Sequence, residues 1–187
     1  MEIPRQIHLN RIIARQGNGM IKVITGMRRC GKSYLLFTLF YNYLLQQGVD
    51  EQHIIKVDLE DRRNAALRDP DALLAFIDSR MTDNRQYYII LDEVQLVSEF
   101  EDVLNSYLKV PNADVYVTGS NARFLSKDII TEFRGRGDEI HITPLSFQEF
   151  VSGKHGDREM LPYDYITCGG LAHIVSRTVA RQKLANR

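Results

Sequence analysis

A glycine-rich segment near the N-terminus has the spacing of a phosphate-binding loop. Residues 26–33 read Gly-Met-Arg-Arg-Cys-Gly-Lys-Ser, which fits G-x-x-x-x-G-K-[ST], between a predicted strand and a predicted helix. The alternative is a glycine-rich turn with a capping serine. In the functional form, backbone N–H groups and a helix N-terminus surround a phosphate, Lys32 bridges the β- and γ-phosphates, and Ser33 ligates Mg²⁺. The predicted contacts to ATP are Gly26, Met27, Arg28, Arg29, Cys30, Gly31, Lys32, Ser33 and Tyr34.

Two adjacent carboxylates follow an apolar run, in the segment Tyr87-Tyr-Ile-Ile-Leu-Asp92-Glu93. An aspartate at the tip of a buried strand completes magnesium coordination in nucleotide hydrolases, and we assign that role to Asp92. Glu93 is placed one residue further, where it can polarise or position an attacking water as a general base. Both could otherwise be solvated acids at a strand end. Beside the phosphate loop, the pair favours ATP hydrolysis.

A fourth predicted strand ends in Gly119-Ser-Asn121, which puts small polar side chains at the edge where open α/β sheets bind ligands. Asn121 is predicted to sense the γ-phosphate and the attacking water, and Ser120 could share that role. The alternative for Asn121 is a turn residue that tolerates left-handed geometry.

An arginine-containing turn precedes the last predicted strand, in Phe133-Arg-Gly-Arg-Gly137. A guanidinium there could stabilise charge on the transferred phosphoryl group, and Arg136 is the predicted arginine finger. The alternative is a surface pair between Arg136 and Asp138 or Glu139. The predicted catalytic set is therefore Lys32, Glu93, Asn121 and Arg136.

The elements that position these residues form an α/β pattern, in which short strands alternate with helical segments. Strands are predicted from Ile21 to Thr25, His53 to Leu59, Tyr87 to Leu91, Asp114 to Thr118 and Glu139 to Thr143. The fold class is a P-loop NTPase with a five-stranded, mostly parallel sheet flanked by helices and followed by a helical C-terminal extension.

The helices have recognisable ends. One is predicted from Lys32 to Gln47, with its apolar face on the sheet and Gly48 as its stop. Another begins at Asp69 with Pro70 in its first turn. Capping boxes predict helix starts at Ser98 with Glu101 and, after Pro144, at Ser146 with Glu149. The segment from Leu171 to Arg187 also has a helical pattern.

Composition sets the class of protein. The 187 residues contain 24 Lys plus Arg and 24 Asp plus Glu, so the net charge does not predict nucleic acid or an anionic membrane as a partner. No signal peptide and no membrane-spanning run is found, which predicts a cytoplasmic protein. Cys30 and Cys168 do not have the spacing of a zinc site. Basic residues near the C-terminus are read as a solvated face rather than a nucleic-acid site.

Taken together, these segments resemble the AAA-type ATPases, specifically a prokaryotic family with an N-terminal ATPase domain and a C-terminal domain of unknown function. The motifs are Ile24-Thr-Gly-Met-Arg-Arg-Cys-Gly-Lys-Ser33, Val57-Asp-Leu-Glu-Asp61, Ile89-Ile-Leu-Asp-Glu-Val-Gln95, Thr118-Gly-Ser-Asn121, and Gly135-Arg136 followed by Pro144-Leu-Ser-Phe-Gln-Glu-Phe150.

The resemblance implies a five-stranded sheet, magnesium-dependent ATP hydrolysis, and a finger that acts across a subunit boundary, hence a homo-oligomer. It matches loop, metal, base, sensor and finger positions to Lys32, Ser33, Asp92, Glu93, Asn121 and Arg136. Cys168-Gly-Gly-Leu171 resembles the turn that opens the family's next region. We therefore expect a core over 1–143 with an N-terminal helical arm, and a helical extension over 144–187 that begins a truncated C-terminal region.

Several functions are weighed on these residues. The leading hypothesis is an ATPase whose hydrolysis drives conformational change, with an unknown protein partner. The alternative is an ATP-dependent switch or scaffold that binds tightly and hydrolyses little. A small-molecule kinase is disfavoured because no arginine-rich lid follows the third strand. A GTPase is disfavoured because no Asn-Lys-x-Asp segment is present, Ser126-Lys-Asp128 being the nearest approach.

Overall fold

Five parallel strands form the centre of the fold. A computed structural model of the chain describes residues 3, 5–119, 133, 135–152, 163 and 165–166. The strands are β1 (Ile21–Gly26), β2 (Ile54–Asp58), β3 (Tyr87–Asp92), β4 (Ala113–Thr118) and β5 (Gly137–Ile142). Their order across the sheet is β2-β3-β4-β1-β5, and every neighbouring pair is parallel. The five predicted strands are confirmed.

Helices cover both faces of this sheet. They are α1 (Gln6–Ile13), α2 (Lys32–Tyr34), a π-helix (Leu35–Phe40), α3 (Tyr41–Gln46), α4 (Pro70–Asp78), α5 (Phe100–Tyr107) and α6 (Phe147–Ser152). Short 3₁₀ helices span Glu51–His53, Arg62–Arg68 and Val94–Leu96. In the described part of the chain, no helix is long and apolar enough to cross a membrane.

The sheet separates two hydrophobic clusters, because alternate side chains of each strand point to opposite faces. Leu73 of α4 and Leu104 of α5 pack on the face that carries Val23 and Ile89. On the other face, the π-helix, α1 and α3 pack on strand residues such as Ile24. All six residues of β1 are buried, as a central parallel strand requires. The predicted α/β architecture is thereby confirmed.

The helix after the phosphate loop departs from the predicted geometry. The sequence predicts one helix from Lys32 to Gln47, and helical structure does run from Lys32 to Gln46, but Leu35–Phe40 is π-helical. Helical periodicity does not distinguish a single wide turn from a regular one. The predicted stop is confirmed, because Gly48 has a φ of 82°.

Helix caps decide where three other helices begin. The Asp69 side chain accepts a 2.9 Å bond from the Ala72 N–H, with Pro70 as the first helical residue. Ser146 and Glu149 form the predicted reciprocal box, at 2.8 Å and 3.2 Å. The capping box predicted at Ser98 is wrong. The left-handed Glu99 (φ 53°) is the N-cap residue, so Ser98 is out of register with Glu101.

A buried ion pair joins β1 to β4 at the amino-terminal edge of the sheet. Lys22 is 0% exposed, and its ammonium donates to an Asp114 carboxylate oxygen and, at 2.9 Å, to the carbonyl of Met20. The other Asp114 oxygen accepts from the Tyr116 hydroxyl at 2.7 Å and from the Gly17 N–H at 3.0 Å. Each charge is thus compensated by hydrogen bonds inside the fold.

Candidate functional site

The carboxyl ends of the parallel strands bring the predicted site residues to one edge of the sheet. Gly26 ends β1, Asp92 ends β3 and Thr118 ends β4. Ligands of open α/β sheets bind at this edge. The strand order puts β4 between the strand that feeds the phosphate loop and the strand that carries the acidic pair. The structure therefore brings the loop and the acids together, as predicted.

The loop backbone has the conformation of an anion-binding turn. Gly26 has a φ of 146°, and a Cβ there would lie 2.3 Å from the carbonyl oxygen of Ile142, so only glycine fits. Left-handed φ angles follow at Arg29 (68°) and Gly31 (98°). Such alternation turns successive N–H groups toward a common centre, and the first turn of the following helix, at Lys32, adds its own N–H groups.

The loop side chains divide into exposed and buried groups. Met27, Arg28 and Arg29 are exposed, Tyr34 is half-buried, and Cys30 is fully buried. Burial raises the pKa of the Cys30 thiol, although Lys32 and Arg5 act against it. Arg28 lies 4.0 Å from Glu60, and both are largely exposed. The backbone of this loop, more than its side chains, is shaped to face a ligand.

Lys32 lies across the mouth of the loop. Its side chain is 5% exposed, and the ammonium donates to the carbonyl oxygens of Gly26 at 3.0 Å and Met27 at 3.3 Å. These are weak acceptors compared with phosphate oxygens, whose bonds to an ammonium are charge-assisted. The side chain is therefore poised to exchange them for phosphate.

Asp92 is buried among hydroxyl groups. It is 5% exposed, and the Thr118 hydroxyl donates to its Oδ1. Burial raises the pKa of the Asp92 carboxyl, while hydrogen bonding from Thr118 and the neighbouring Ser33 hydroxyl opposes the shift. A buried carboxylate beside a hydroxyl is a hard oxygen donor set of the kind that Mg²⁺ prefers. Ser33 and Asp92 thus fit the predicted metal.

Glu93 is held in a strained conformation directly after Asp92. Its φ of 54° and ψ of 47° are left-handed, which is uncommon for a non-glycine residue and concentrated at functional sites. Its N–H donates to the Thr118 hydroxyl oxygen at 3.0 Å, and its carboxylate accepts from the Gln95 amide. Glu93 is thus held at the same edge of the sheet as Asp92, by Thr118 at its backbone and by Gln95 at its carboxylate.

Two residues of this network were missed by sequence reasoning. Thr118 bridges both members of the acidic pair from the neighbouring strand, and Gln95 fixes the Glu93 carboxylate. Both lie in segments that resemble the AAA-type ATPases, but they were given no role. The role of Thr118 depends on which strands are neighbours, and that of Gln95 depends on the turn at Glu93, so neither could be read from the sequence.

The Thr118 hydroxyl gives a sharp prediction. Thr118→Val keeps the shape but removes the donor to Asp92 and the acceptor for Glu93, so we expect unfolding to become easier by about 1–3 kcal/mol. Phosphate release is expected to fall at least about tenfold, because the Asp92 carboxylate and the Glu93 backbone lose their fixed position. Thr118→Ser, which keeps the hydroxyl, is the control. A wild-type rate in the valine variant would remove Thr118 from the site.

The structure does not bring the remaining predicted residues into this network. Asn121 and Ser120 lie outside the described residues. Arg136 is exposed and lies at the opposite edge of the sheet, where its carbonyl accepts from the Ile21 N–H at 2.9 Å. A strand of six residues separates it from the loop edge, which is about 20 Å. The structure therefore does not bring Arg136 to the phosphate loop of its own chain.

The surroundings of Arg136 do not favour a surface ion pair. Asp138 bonds Arg15 at 2.9 Å and Asn18 at 2.9 Å, and Glu139 accepts from Thr25 at 2.6 Å. Arg136 instead lines a pocket of about 210 Å³ together with Asn105, Leu108 and Lys109. A basic pair thus faces outward at the edge remote from the loop.

The acidic turn after β2 is structural. Asp58 accepts from the N–H groups of Glu60 at 2.9 Å and Asp61 at 3.2 Å. Asp61 in turn bonds the Arg63 N–H and guanidinium, and these bonds lower the pKa of Asp61 to about 2. The carboxylates of Asp58 and Asp61 are thus occupied in shaping the turn.

Comparisons with known proteins agree with this geometry. A family model described as an AAA domain matches residues 18–151. An uncharacterized protein of Haemophilus influenzae is 34% identical over 179 residues, which is 92% of this chain and 44% of the relative. An uncharacterized protein of Methanocaldococcus jannaschii is 31% identical over 169 residues, 82% of this chain and 36% of the relative. The chain spans less than half the length of these relatives.

Solved structures show the same fold at low identity. DnaA from Aquifex aeolicus with bound AMPPCP has a TM-score of 0.62 at 15% identity and covers 98% of this chain and 62% of that one. Cdc6p from Pyrobaculum aerophilum has a TM-score of 0.55 at 13% identity, over 81% and 48% of the two chains. The nucleotide-binding P-loop fold is therefore shared, and the chain belongs to the family of AAA domains.

Proposed function

We propose that this chain binds ATP with Mg²⁺ at the loop Gly26–Ser33 and hydrolyses it, with turnover coupled to conformational change. The observation that carries the proposal is the network in which Thr118 fixes both Asp92 and Glu93 beside the phosphate loop. A loop alone supports binding. A buried carboxylate and a second, strained one at the same edge support hydrolysis.

Binding is assigned to the loop and the helix that follows it. Backbone N–H groups of the loop hold the β-phosphate, and Lys32 exchanges the carbonyls of Gly26 and Met27 for β- and γ-phosphate oxygens. Ser33 and Asp92 hold the metal, which when bound neutralises charge on the phosphates. The role of Asn121 as sensor of the γ-phosphate stays a proposal from the sequence.

Catalysis is assigned to Glu93. Its carboxylate is oriented by Gln95 and its backbone by Thr118, so it can accept a hydrogen bond from a water placed in line with the γ-phosphate. The positioned carboxylate draws a proton from that water as it attacks. General-base assistance of this kind contributes roughly 10²–10⁴-fold to a rate.

The arginine finger is proposed to act between chains. Arg136 lies about one strand length from its own loop, exposed and beside Lys109. A second copy of this chain that docks its nucleotide edge against this face would receive the guanidinium at its γ-phosphate. The proposal therefore includes a homo-oligomer in the cytoplasm and an unknown protein partner, with an ATPase core over 1–143 and a helical extension over 144–187.

The second candidate is a switch that binds ATP and hydrolyses little. Its support is the position of Arg136, because a single chain holds the loop and the base without the finger. In this form, turnover would stay low at every protein concentration, because no second chain delivers the finger. The two candidates differ in the dependence of turnover on protein concentration.

The test measures MgATP binding and phosphate release for the wild-type chain, Lys32→Ala and Glu93→Gln at several protein concentrations. We expect Lys32→Ala to lose binding at least about tenfold, since its charge-assisted contacts to phosphate are gone. Glu93→Gln is expected to bind MgATP normally and to release phosphate at least about 10²-fold more slowly.

The outcomes separate the candidates. Release that depends on Glu93 and rises more than linearly with concentration supports the assembling ATPase. Tight binding with no release at any concentration supports the switch. A wild-type chain that does not bind MgATP more tightly than Lys32→Ala would overturn both.

A further inference from the structure

An arginine outside the predicted site is buried against the phosphate loop. Arg5 is 1% exposed, and its guanidinium donates to the carbonyl of Cys30 at 2.6 Å and to the carbonyl of Thr143 at 2.6 Å. Its Nε lies 3.4 Å from a Glu149 carboxylate oxygen. One side chain thus contacts the loop, the end of β5 and helix α6.

This placement is energetically demanding for a residue next to the first helix. A guanidinium inside a protein must be matched by acceptors for its N–H groups, and here three segments supply them. Arg5 also has a left-handed backbone, with φ 39° and ψ 42°. A strained backbone that delivers a charge to one point of a loop points to a role in that loop.

The contact with Cys30 fixes the orientation of the next backbone N–H of the loop. The carbonyl of Cys30 and the N–H of Gly31 belong to the same planar trans peptide, so they point in opposite directions. When Arg5 holds the carbonyl, the Gly31 N–H is directed to the other side. Gly31, with a φ of 98°, has the conformational freedom to let this peptide rotate if nothing held it.

We propose that Arg5 is a positioning residue of the phosphate loop: it locks the Cys30–Gly31 peptide with its N–H toward the bound anion, and Glu149 holds Arg5 in place. The proposal rests on the nucleotide binding proposed above. It makes the loop geometry depend on helix α6, because Glu149 is tied to the start of that helix by the Ser146 N–H at 2.8 Å.

Arg15 is a matched control, because it tests whether Arg5 acts only by tethering the N-terminal segment. Arg15 follows the same helix α1 and bonds Asp138 of the same strand β5 at 2.9 Å, but at the opposite edge of the sheet. Both arginines tether the N-terminal segment to β5. Arg5 alone of the two contacts the loop, so a tethering role would make their variants alike.

The experiment compares Arg5→Ala, Arg5→Lys and Arg15→Ala with wild type, after circular dichroism at the assay temperature shows which are folded. The readouts are the Kd for MgATP and the rise in Tm that saturating MgATP produces, which reports binding independently of the Tm without nucleotide. We expect Arg5→Ala to weaken binding at least about tenfold and Arg15→Ala to stay within about twofold. Arg5→Lys is expected to recover part of the loss, because an ammonium can still bond one carbonyl.

A second variant keeps the test decisive if Arg5→Ala does not fold. Glu149→Gln is expected to weaken MgATP binding about threefold to tenfold in the wild-type chain and by a clearly smaller factor in the Arg5→Lys chain, since the two residues act as one unit. Equal losses in both backgrounds, or wild-type affinity in the folded Arg5 variants, would overturn the proposal. Failure of the wild-type chain to bind MgATP would instead overturn the proposed function.

Discussion

An equimolar mixture of Arg136→Ala and Lys32→Ala chains is expected to hydrolyse ATP faster than either variant alone. Alone, Arg136→Ala is expected to lose about 10³-fold or more of the rate, as removal of an arginine finger does. The reason for recovery is the distance between the two sites: Arg136 lies about 20 Å from its own loop, so finger and loop must come from different chains.

Mixing rebuilds complete sites in a predictable proportion. The Lys32→Ala chain supplies an intact Arg136, and the Arg136→Ala chain supplies an intact loop. If chains assemble at random around a symmetric ring or dimer, about a quarter of the interfaces contain both intact parts. The measurement is steady-state phosphate release as a function of mixing ratio, at a protein concentration where the wild-type chains are assembled.

A matched mixture separates rescue from simple dilution. The control mixes Lys32→Ala with Glu93→Gln. Each site takes its loop and its base from the same chain, so no chain in this mixture supplies both intact. This mixture is expected to be no more active than Glu93→Gln alone. Recovery in the control, or no recovery with Arg136→Ala, would exclude a finger that acts between chains.

Removal of the Asp114 carboxylate is expected to give the largest loss of stability. Asp114→Ala leaves the Lys22 ammonium, which is 0% exposed, without its counter-ion, and leaves the Tyr116 hydroxyl and the Gly17 N–H without their acceptor. Breaking a buried pair on one side lowers the free energy of unfolding by about 3–5 kcal/mol. Urea denaturation followed by circular dichroism measures it.

The control is the partly exposed ion pair between Arg15 and Asp138 at the same, amino-terminal edge of the sheet. Asp138→Ala removes the partner of Arg15, whose side chain is 34% exposed, and is expected to change the free energy of unfolding by less than about 1 kcal/mol. Lys22→Met in the Asp114→Ala background is expected to recover stability, since it removes the uncompensated charge. A loss below 1 kcal/mol in Asp114→Ala would show that water reaches Lys22.

The sequence predicted the fold well where local patterns are sufficient. The five strands are short apolar runs between turns, and the glycine at 48 and the Ser146–Glu149 box mark helix ends that depend only on neighbouring residues. The capping box at Ser98 failed because the left-handed backbone of Glu99 moved the start of the helix by one residue. Such a shift depends on packing, which the motif does not include.

The sequence located the loop and the acidic pair that the structure brings to one edge, and it missed the residues that hold them in place. The loop, Asp92 and Glu93 follow from residue types at fixed spacing. Thr118 and Arg5 act across strands and segments that are far apart in the chain, so their contacts appear only when the strand order is known. A threonine in a strand or an arginine before a helix carries no signal of its own.

The strand order also sets the width of the space in which a reaction can occur. With β4 inserted between β1 and β3, the two strand tips are separated by two strand spacings, about 9–10 Å. This interval separates the phosphate loop from the acidic pair. In the proposed hydrolysis it would leave room for one solvent molecule between the phosphate and the carboxylates, so that the sheet would act as a spacer for the attacking water.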